Sequence, residues 1–336
     1  MDGANQQSNL KNSSYPLVVL HGATASGKTS LAVQLAQRFS GEVVSCDSVA
    51  VYRELEIGTA KPSREQRALV PHHMLDVVWP NQPYTGGDYA RDARANLADI
   101  ESRGKLPVVA GGTGLYLRAL IDGLFPGPTR LESLRVRLRE MGQERGSSYL
   151  ARILQRLDPV SASRIHPNDA PKLVRAVEVT LAAHQRMSTL WEAGRDALQG
   201  FRILRLGLDP PRPALYARIN QRAAAMFSMG LVEETERLLA RYGADSRPLA
   251  SLGYKQAAML LRGELSIQDA IASTQQGHRN YAKRQMTWFR REPNVAWLDG
   301  FGDDPAMARK AIEQVELHVR EGGEVREDYK SSLSAE

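Results

Sequence analysis

Residues 22–29 read Gly-Ala-Thr-Ala-Ser-Gly-Lys-Thr, and they are the most informative stretch of the chain. It matches the phosphate-binding pattern G-x-x-x-x-G-K-[ST] at every fixed position. The apolar run 17–20 before it predicts a buried strand. The spacing of Leu31, Leu35 and Phe39 predicts a helix over 30–39. A strand, a glycine loop and a helix in this order direct backbone N–H groups and a helix N-terminus at a phosphate chain.

The motif assigns separate tasks to its last two residues. Lys28 is placed to reach the outer phosphates, and the hydroxyl of Thr29 is placed to help hold Mg²⁺. The pattern indicates a polyphosphate ligand without saying which one. The predicted phosphate-binding residues are Gly22, Ala23, Thr24, Ala25, Ser26, Gly27, Lys28 and Thr29.

The composition is that of an ordinary globular protein. The chain has 336 residues, of which 42% are hydrophobic and 24% charged. Its single cysteine, Cys46, excludes an internal disulfide and a cysteine-based zinc site, and favours a reducing compartment. The first fifteen residues are polar, and no apolar run approaches the ~18–20 residues that span a bilayer. We therefore expect a cytoplasmic protein without a membrane partner.

Beyond the motif, apolar runs alternate with amphipathic stretches up to about residue 122. The run 43–46 ends at Asp47, and the run 107–110 leads into Gly111-Gly112-Thr113. A helix is predicted between them over 87–103, and this alternation favours a parallel sheet with helices on both faces. The later patterns predict largely helical structure over 130–198, a strand over 204–208 and helices over 213–243, 254–263 and 266–291.

Three of the predicted strands end in functional residue types. The first ends in the phosphate loop, the second in Asp47 and the third in Thr113. Because ligands of open α/β sheets bind beyond the carboxyl ends of the strands, Lys28, Asp47 and Thr113 are expected to share one crevice. A carboxylate there suits a base or a Mg²⁺ ligand. The alternatives are a cap on the next segment for Asp47 and a turn residue for Thr113.

Basic residues cluster in two further places. The segment 278–291 carries five Lys or Arg residues and no acid, interleaved with Tyr281, Trp288 and Phe289. Such a segment suits RNA phosphates and bases, although a solvated basic helix with its aromatics in the core is an equal alternative. Arg218 and Arg222 lie four apart on one helix face, which suits a diphosphate or two surface cations. His72-His73 lacks companion ligands at metal spacing and is interpreted as structural.

Taken together, these motifs resemble bacterial tRNA dimethylallyltransferases, the IPP transferase family. The resemblance runs in order over about 15–300, and the combination of motifs is far more specific than the phosphate loop alone. Besides residues 22–29, the matching segments are Asp47-Ser48-Val49-Ala50-Val51-Tyr52-Arg53, Ile57-Gly58-Thr59-Ala60-Lys61-Pro62, His72-His73-Met74-Leu75-Asp76, Gly111-Gly112-Thr113-Gly114-Leu115-Tyr116, Leu252-Gly253-Tyr254-Lys255-Gln256 and Ala282-Lys283-Arg284-Gln285-Met286-Thr287-Trp288-Phe289-Arg290.

The resemblance implies transfer of a dimethylallyl group from dimethylallyl diphosphate to N6 of an adenosine. That adenosine lies 3′-adjacent to the anticodon (position 37) of tRNAs that read codons starting with U, and the second product is diphosphate. Asp47 is implied to accept the N6 proton, and Thr113 to orient the adenine. Lys28, Arg222 and Mg²⁺ on Thr29 are implied to hold the diphosphate, so the loop would bind this ester and not a nucleoside triphosphate.

The resemblance also implies a tRNA surface that recognises the anticodon stem-loop. Three departures from the family pattern, Ala50, Pro171-Lys172 and Lys255, fall on it, so the choice of tRNA is less constrained than the reaction. A monomer suits an enzyme that wraps a tRNA. The implied tRNA-binding residues are Asp47, Ser48, Val49, Ala50, Thr113, Arg135, Lys172, Arg175, Gly253, Tyr254, Lys255, Lys283, Arg284, Gln285, Trp288 and Arg290.

The predicted fold is α/β, with a P-loop NTPase-like parallel sheet core, an inserted all-helical domain and a helical C-terminal part. A Gly/Pro cluster at 123–128 marks the start of the insertion. The predicted boundaries are 1–14 for a disordered leader, 15–125 and 200–320 for the P-loop prenyltransferase core, 126–199 for the inserted helical tRNA-binding domain and 321–336 for a flexible tail.

Three other functions share some of these features. A prenyltransferase of free adenine nucleotides would share the catalytic residues but need less RNA-binding surface. A small-molecule kinase would use the phosphate loop for ATP but leaves the segment 278–291 unexplained. A non-catalytic RNA-binding protein would have no need of Lys28, Thr29 and Asp47 together.

Overall fold

The fold is built on one parallel sheet. The computed structural model describes residues 14–128, 130–192 and 194–321, so the predicted leader, apart from Ser14, and the predicted tail, apart from Glu321, lie outside the described residues. Within these ranges the strands are β1 (Tyr15–Gly22), β2 (Glu42–Cys46), β3 (His72–His73), β4 (Pro107–Gly111), β5 (Phe201–Leu208) and β6 (Val295–Leu298). Their order across the sheet is β3-β2-β4-β1-β5-β6, and every pairing is parallel.

Helices form most of the regular structure outside the strands of the described chain. A short 3₁₀ helix at Arg247–Ala250 accompanies them. The α-helices are α1 (Lys28–Arg38), α2 (Arg64–Leu69), α3 (Gly86–Ser102), α4 (Gly114–Ile121), α5 (Glu132–Arg145), α6 (Ser147–Leu157), α7 (Pro159–Arg164), α8 (Ala170–Ala183), α9 (Met187–Glu192), α10 (Arg212–Ser228), α11 (Leu231–Tyr242), α12 (Tyr254–Leu261), α13 (Ile267–Phe289) and α14 (Pro305–Arg320).

The predicted elements are observed with one correction. The strands at 17–20, 43–46, 107–110 and 204–208 and the helix over 87–103 all form. The prediction of one helix over 213–243 is wrong, because α10 ends at Ser228 and α11 begins at Leu231. Gly230 lies between them with φ +97°, a left-handed conformation that interrupts the hydrogen-bond ladder and favours glycine.

The core explains why the strands read as continuous apolar runs. Helices α1 and α14 pack one face of the sheet through side chains such as Leu31, Leu35 and Val315, all of them fully buried. Helices α3 and α13 contact strands β2 and β1. Because the sheet is covered on both faces, β1 has no polar side to alternate, and Leu17 and Leu20 have no exposed surface.

Strand register brings three carboxyl ends to one edge of the sheet. In β4, Gly111 lies opposite His21 of β1 and opposite Cys46 of β2. A Cβ added to Gly111 would lie 2.0 Å from the carbonyl oxygen of Cys46, so this close approach of two strands requires glycine. Residues 22–29, Asp47 and Thr113 therefore leave the sheet side by side.

Residues 121–197 form a second compact unit, while the described residues up to Leu120 and from Leu198 form the sheet unit. The second unit is all helical, with a core of its own that includes Leu138, Leu154 and Val177. The predicted fold class, a parallel sheet core with an all-helical insertion, is confirmed. None of the helices in the described ranges is both long and apolar enough to cross a membrane.

Candidate active site

A cavity of about 590 Å³ opens at the carboxyl edge of the sheet. The phosphate loop forms one wall and the ends of β2 and β4 form another. Helices α10 and α13 and the segment 59–62 complete it. Among the residues that line the cavity are Thr24, Ala25, Ser26, Gly27, Lys28, Thr29, Asp47, Ala50, Gly112, Arg218, Arg222, Tyr281, Gln285 and Asp303.

The phosphate loop is held in place by a later segment of the chain. Gly27 has φ +88°, and a Cβ there would lie 2.7 Å from the backbone nitrogen of Gly302. The Gly302 N–H donates to the carbonyl of Ser26 at 2.9 Å. Helix α1 then begins at Lys28, so its N-terminus faces the cavity that the loop lines. This end of a helix favours an anion because of its free N–H groups and its dipole.

Lys28 lies within the phosphate loop, and its surroundings lower its pKa. Its ammonium group donates to the carbonyl of Ala23 at 2.6 Å. Burial, reinforced by the positive charge of Arg222, lowers the pKa of Lys28 from 10.5 to about 8, and the carboxylate of Asp47 acts in the opposite direction. A bound polyanion would offset this loss of solvation and favour the charged amine, so the position of Lys28 suits a polyphosphate ligand.

Asp47 caps the turn that follows β2 and also lines the cavity. Its Oδ1 atom accepts from the backbone N–H groups of Val49 at 2.8 Å and Ala50 at 3.1 Å, as a capping residue does. Its Oδ2 atom accepts no hydrogen bond from the part of the chain that is described. One carboxylate oxygen therefore fixes the turn while the side chain lines the cavity with the other oxygen available.

Thr113 connects the ends of β4 and β2. Its hydroxyl accepts from the backbone N–H of Ser48 at 3.1 Å, and its own N–H donates to the carbonyl of Cys46 at 3.2 Å. The phenol of Tyr281 lies close to Thr113, and burial raises the pKa of Tyr281 to about 12. Thr113 thus links the end of β4 to Ser48, the residue after Asp47, while the cavity itself is lined by Asp47 and by Gly112, the residue before Thr113.

The two arginines of α10 both reach the cavity, in different states. Arg222 is half-buried, and this burial lowers its pKa while Asp47 counteracts the effect. Arg218 forms an ion pair with Asp303 through contacts of 2.7 and 2.9 Å. Its guanidinium also lies 3.7 Å from the centre of the Phe301 ring. The helical spacing therefore places both guanidinium groups beside the phosphate loop.

The predicted tRNA contacts on α13 divide between two faces of the helix. Lys283, Arg284 and Trp288 line an open groove of about 380 Å³, and the first two are exposed. Arg290 is exposed and pairs with Asp209 at 2.9 Å. Gln285 instead lies on the buried face of the helix, in contact with the phosphate loop.

The segment 253–255 presents little surface to a ligand. Tyr254 is fully buried, and its hydroxyl donates to Glu234 at 2.5 Å and accepts from the N–H of Gly58 at 3.2 Å. Gly253 is buried as well, whereas Lys255 is exposed. Tyr254 therefore supports the stretch around Gly58, which leads into the segment 59–62 on the wall of the cavity. The predicted RNA contact of the segment 253–255 then depends on Lys255.

In the helical unit, a buried acid gathers two of the predicted tRNA contacts. Glu178 has no exposed surface and accepts from Arg175 at 2.9 Å, with Arg135 at 3.6 Å. The N–H of Leu131 donates to the same carboxylate at 2.9 Å. Lys172 is exposed and pairs with Asp169 at 2.5 Å. Within this unit, Arg135 and Arg175 thus form one cluster.

Sequence reasoning missed Asp303, which lines the cavity and belongs to no pattern that marks a phosphate site. It named Gln285 only as an implied tRNA contact, whereas the structure places this residue on the wall of the cavity. No group of three or more His, Cys, Asp or Glu residues in the described chain could hold a metal ion. His73 contacts Glu42 at 2.7 Å, whereas its neighbour His72 lines the cavity.

Comparisons with known proteins agree with this geometry. The family model described as IPP transferase matches residues 50–292, and the model described as isopentenyl transferase matches residues 15–70. The chain belongs to the IPP transferase family. The family resemblance drawn from the sequence motifs is therefore confirmed.

Two curated relatives are bacterial proteins named tRNA dimethylallyltransferase. The one from Koribacter versatilis is 66% identical over 297 residues, which cover 88% of this chain and 97% of the relative. The one from Solibacter usitatus is 51% identical over 301 residues, covering 89% of this chain and 98% of the relative.

Solved structures of the family have the same fold. The full-length tRNA isopentenylpyrophosphate transferase from Bacillus halodurans superposes with a TM-score of 0.68 at 34% identity, covering 91% of this chain and 97% of its own. A eukaryotic dimethylallyltransferase acting on tRNA superposes with a TM-score of 0.77 at 25% identity, covering 90% of this chain and 80% of its own.

Proposed function

We propose that this protein transfers a dimethylallyl group from dimethylallyl diphosphate to N6 of the adenosine 3′-adjacent to the anticodon of a tRNA. One observation carries the proposal. A single cavity holds a phosphate loop, the carboxylate of Asp47 and the guanidinium of Arg222. The names of the relatives, tRNA dimethylallyltransferase, support the same reaction.

The diphosphate occupies the side of the cavity formed by the phosphate loop. Lys28, Arg222 and the N-terminus of α1 supply positive charge and N–H donors there. Thr29 lines the cavity and offers a hydroxyl, which fits Mg²⁺ that would be held mainly by phosphate oxygens and water. When bound, this ion would neutralise charge on the diphosphate.

Asp47 acts on the acceptor adenosine. The lone pair of the exocyclic N6 amine is delocalised into the purine ring, so this amine is a weak nucleophile. As the bond between N6 and the allylic carbon forms, the bond from that carbon to the diphosphate oxygen breaks and its electron pair leaves with the diphosphate. The N6 proton passes to Oδ2 of Asp47, a transfer that contributes about 10²–10⁴-fold to the rate.

The acceptor is a tRNA base that must leave its stack to enter the cavity, which costs least in a single-stranded loop. The groove formed by Lys283, Arg284 and Trp288 offers cations for the backbone and a ring for stacking. We extend the proposal to position 37 of tRNAs that read codons starting with U, and to a monomer that works in the cytoplasm.

The test is a transfer assay with the wild-type protein and Asp47→Asn. Each is incubated with Mg²⁺, dimethylallyl diphosphate and unmodified tRNA, with AMP as a parallel acceptor, and products are weighed by mass spectrometry. We expect one dimethylallyl unit on the tRNA adenosine, none on AMP, and a rate at least about 100-fold lower for the variant, since asparagine keeps the turn but cannot take the proton.

Other outcomes would favour the alternative functions. Prenylated AMP with unchanged tRNA would indicate an enzyme of free nucleotides. Absence of transfer to either acceptor would contradict the proposal and reopen a kinase reaction, for which ATP hydrolysis is the first measurement. A wild-type rate for Asp47→Asn would exclude Asp47 as the base.

A further inference from the structure

Gln285 differs from its neighbours on the basic helix α13. Its side chain is 6% exposed, whereas Lys283 and Arg284 face solvent. Its Oε1 atom accepts from the backbone N–H of Thr24 at 2.8 Å, and its Nε2 atom donates to the carbonyl of Gly112 at 2.9 Å. One amide therefore uses both of its ends on two different loops of the active site.

These two loops carry different halves of the proposed chemistry. Thr24 belongs to the phosphate loop and follows Ala23, whose carbonyl accepts from Lys28. Gly112 precedes Thr113, whose hydroxyl accepts from the backbone N–H of Ser48, the residue after Asp47. The bridge from Thr24 through Gln285 to Gly112 thus fixes the diphosphate side relative to the adenosine side.

The local packing leaves the bridge little freedom. A Cβ added to Gly112 would lie 2.1 Å from the Nε2 atom of Gln285, so a glycine at this position makes room for the amide. The N–H of Thr24 is occupied by Gln285 and is therefore not available to a phosphate. The two neighbours of Gln285 on the chain, Arg284 and Met286, point to other surroundings, one to solvent and one into a buried apolar cluster.

We infer that Gln285 is a positioning residue that sets the spacing between the diphosphate site and the acceptor site, and that it does not itself bind tRNA. The inference rests on the proposed function. Reacting atoms must approach within about 3–3.5 Å, and a misplacement of about 1 Å costs roughly 10²-fold in rate. Because both contacts are to backbone atoms, the bridge holds the positions of the loops whatever their side chains do.

The experiment compares Gln285→Met with Gln276→Met. Methionine keeps the length of the side chain but removes both hydrogen bonds. Gln276 lies on the same helix and is exposed, and its hydrogen bonds within the described part of the chain are to Asn280 and Arg279 of that helix. For each variant we measure kcat at saturating tRNA, the Kd of tRNA by fluorescence anisotropy and the Kd of dimethylallyl diphosphate by calorimetry.

For Gln285→Met we expect kcat to fall about 10- to 100-fold while the Kd of tRNA changes less than about twofold. We expect Gln276→Met to match the wild type in all three measurements. A tenfold weaker tRNA complex with kcat preserved would overturn the inference and make Gln285 a direct RNA contact. An unchanged kcat would also overturn it.

A second variant covers the case in which Gln285→Met does not fold. Gln285→Glu keeps an acceptor for the Thr24 N–H but loses the donor to Gly112. We again expect a lower kcat with a nearly unchanged Kd of tRNA, and the same two contrary results would overturn the inference. The wild-type rate is the separate check on the proposed function. If the wild type transfers nothing, that function fails, whereas a normal wild type with an unchanged variant contradicts only the role of Gln285.

Discussion

The ammonium group of Lys28 should take up a proton when dimethylallyl diphosphate binds at alkaline pH. Burial and the charge of Arg222 lower the pKa of Lys28 from 10.5 to about 8. This difference corresponds to about 3 kcal/mol against the charged amine. A bound diphosphate places negative charge beside this group, raises its pKa again and so favours the charged form.

The size of the effect follows from the fraction of Lys28 that is charged before binding. With a pKa of about 8, about half is charged at pH 8 and about a tenth at pH 9, so binding takes up about 0.5 and about 0.9 proton respectively. The affinity should therefore weaken about tenfold between pH 7 and pH 9. A phosphate ester loses its last proton near pH 6, below this window.

Three other titratable groups near the site keep their charge between pH 7 and pH 9. Burial lowers the pKa of both His21 and His278 to about 4 and raises the pKa of Cys46 to about 12. None of these three groups changes its charge between pH 7 and pH 9. Proton uptake in this range can therefore be assigned to Lys28 if it is lost in a variant that replaces this residue.

The assay is calorimetry with Mg²⁺ at pH 7, 8 and 9, each in two buffers of different ionisation enthalpy, which counts the protons exchanged. Lys28→Arg is the matched control, because a guanidinium stays charged throughout and its binding should take up no proton. Absence of proton uptake by the wild type at pH 9, or equal uptake by the arginine variant, would refute the reasoning.

Two further predictions concern tRNA binding and stability. Replacing Lys283 and Arg284 with alanine should weaken tRNA binding and lower the slope of log K against log salt by about 1–2, whereas Arg262→Ala should leave both quantities unchanged. If a salt titration gave equal slopes for the wild type and the double variant, that result would count against an RNA role for the groove. Glu234→Ala should lower the free energy of unfolding, measured in urea, by about 2–4 kcal/mol, because the substitution removes the acceptor of buried hydrogen-bond donors. The same substitution at the exposed residue Glu236 should lower it by less than about 0.5 kcal/mol, and similar losses for the two variants would contradict the assigned contacts.

The local parts of the site could be predicted because the chemistry that forms them is local. The phosphate loop depends on consecutive backbone conformations, including left-handed Gly27, and on a helix that starts at Lys28. Asp47 and Thr113 were placed correctly at one edge because parallel strands present their carboxyl ends together. Their proposed catalytic roles stay predictions.

Other features depend on residues far apart in the sequence. His21 lies in an apolar strand, yet only the structure stacks its ring on Phe289 at 4.6 Å and buries it fully. The break at Gly230 was missed because the apolar spacing continues on both sides of it. Periodicity reports which faces are buried, and it does not report what covers them.

The α/β class, the phosphate loop and the family could all be predicted from short runs of neighbouring residues. The position of β4 between β2 and β1, and the contact of Gln285 with Thr24 across 261 residues of chain, became known from the fold. Such contacts form when distant segments are packed together and their buried polar groups must find partners. That requirement belongs to the folded molecule and leaves no pattern in the chain.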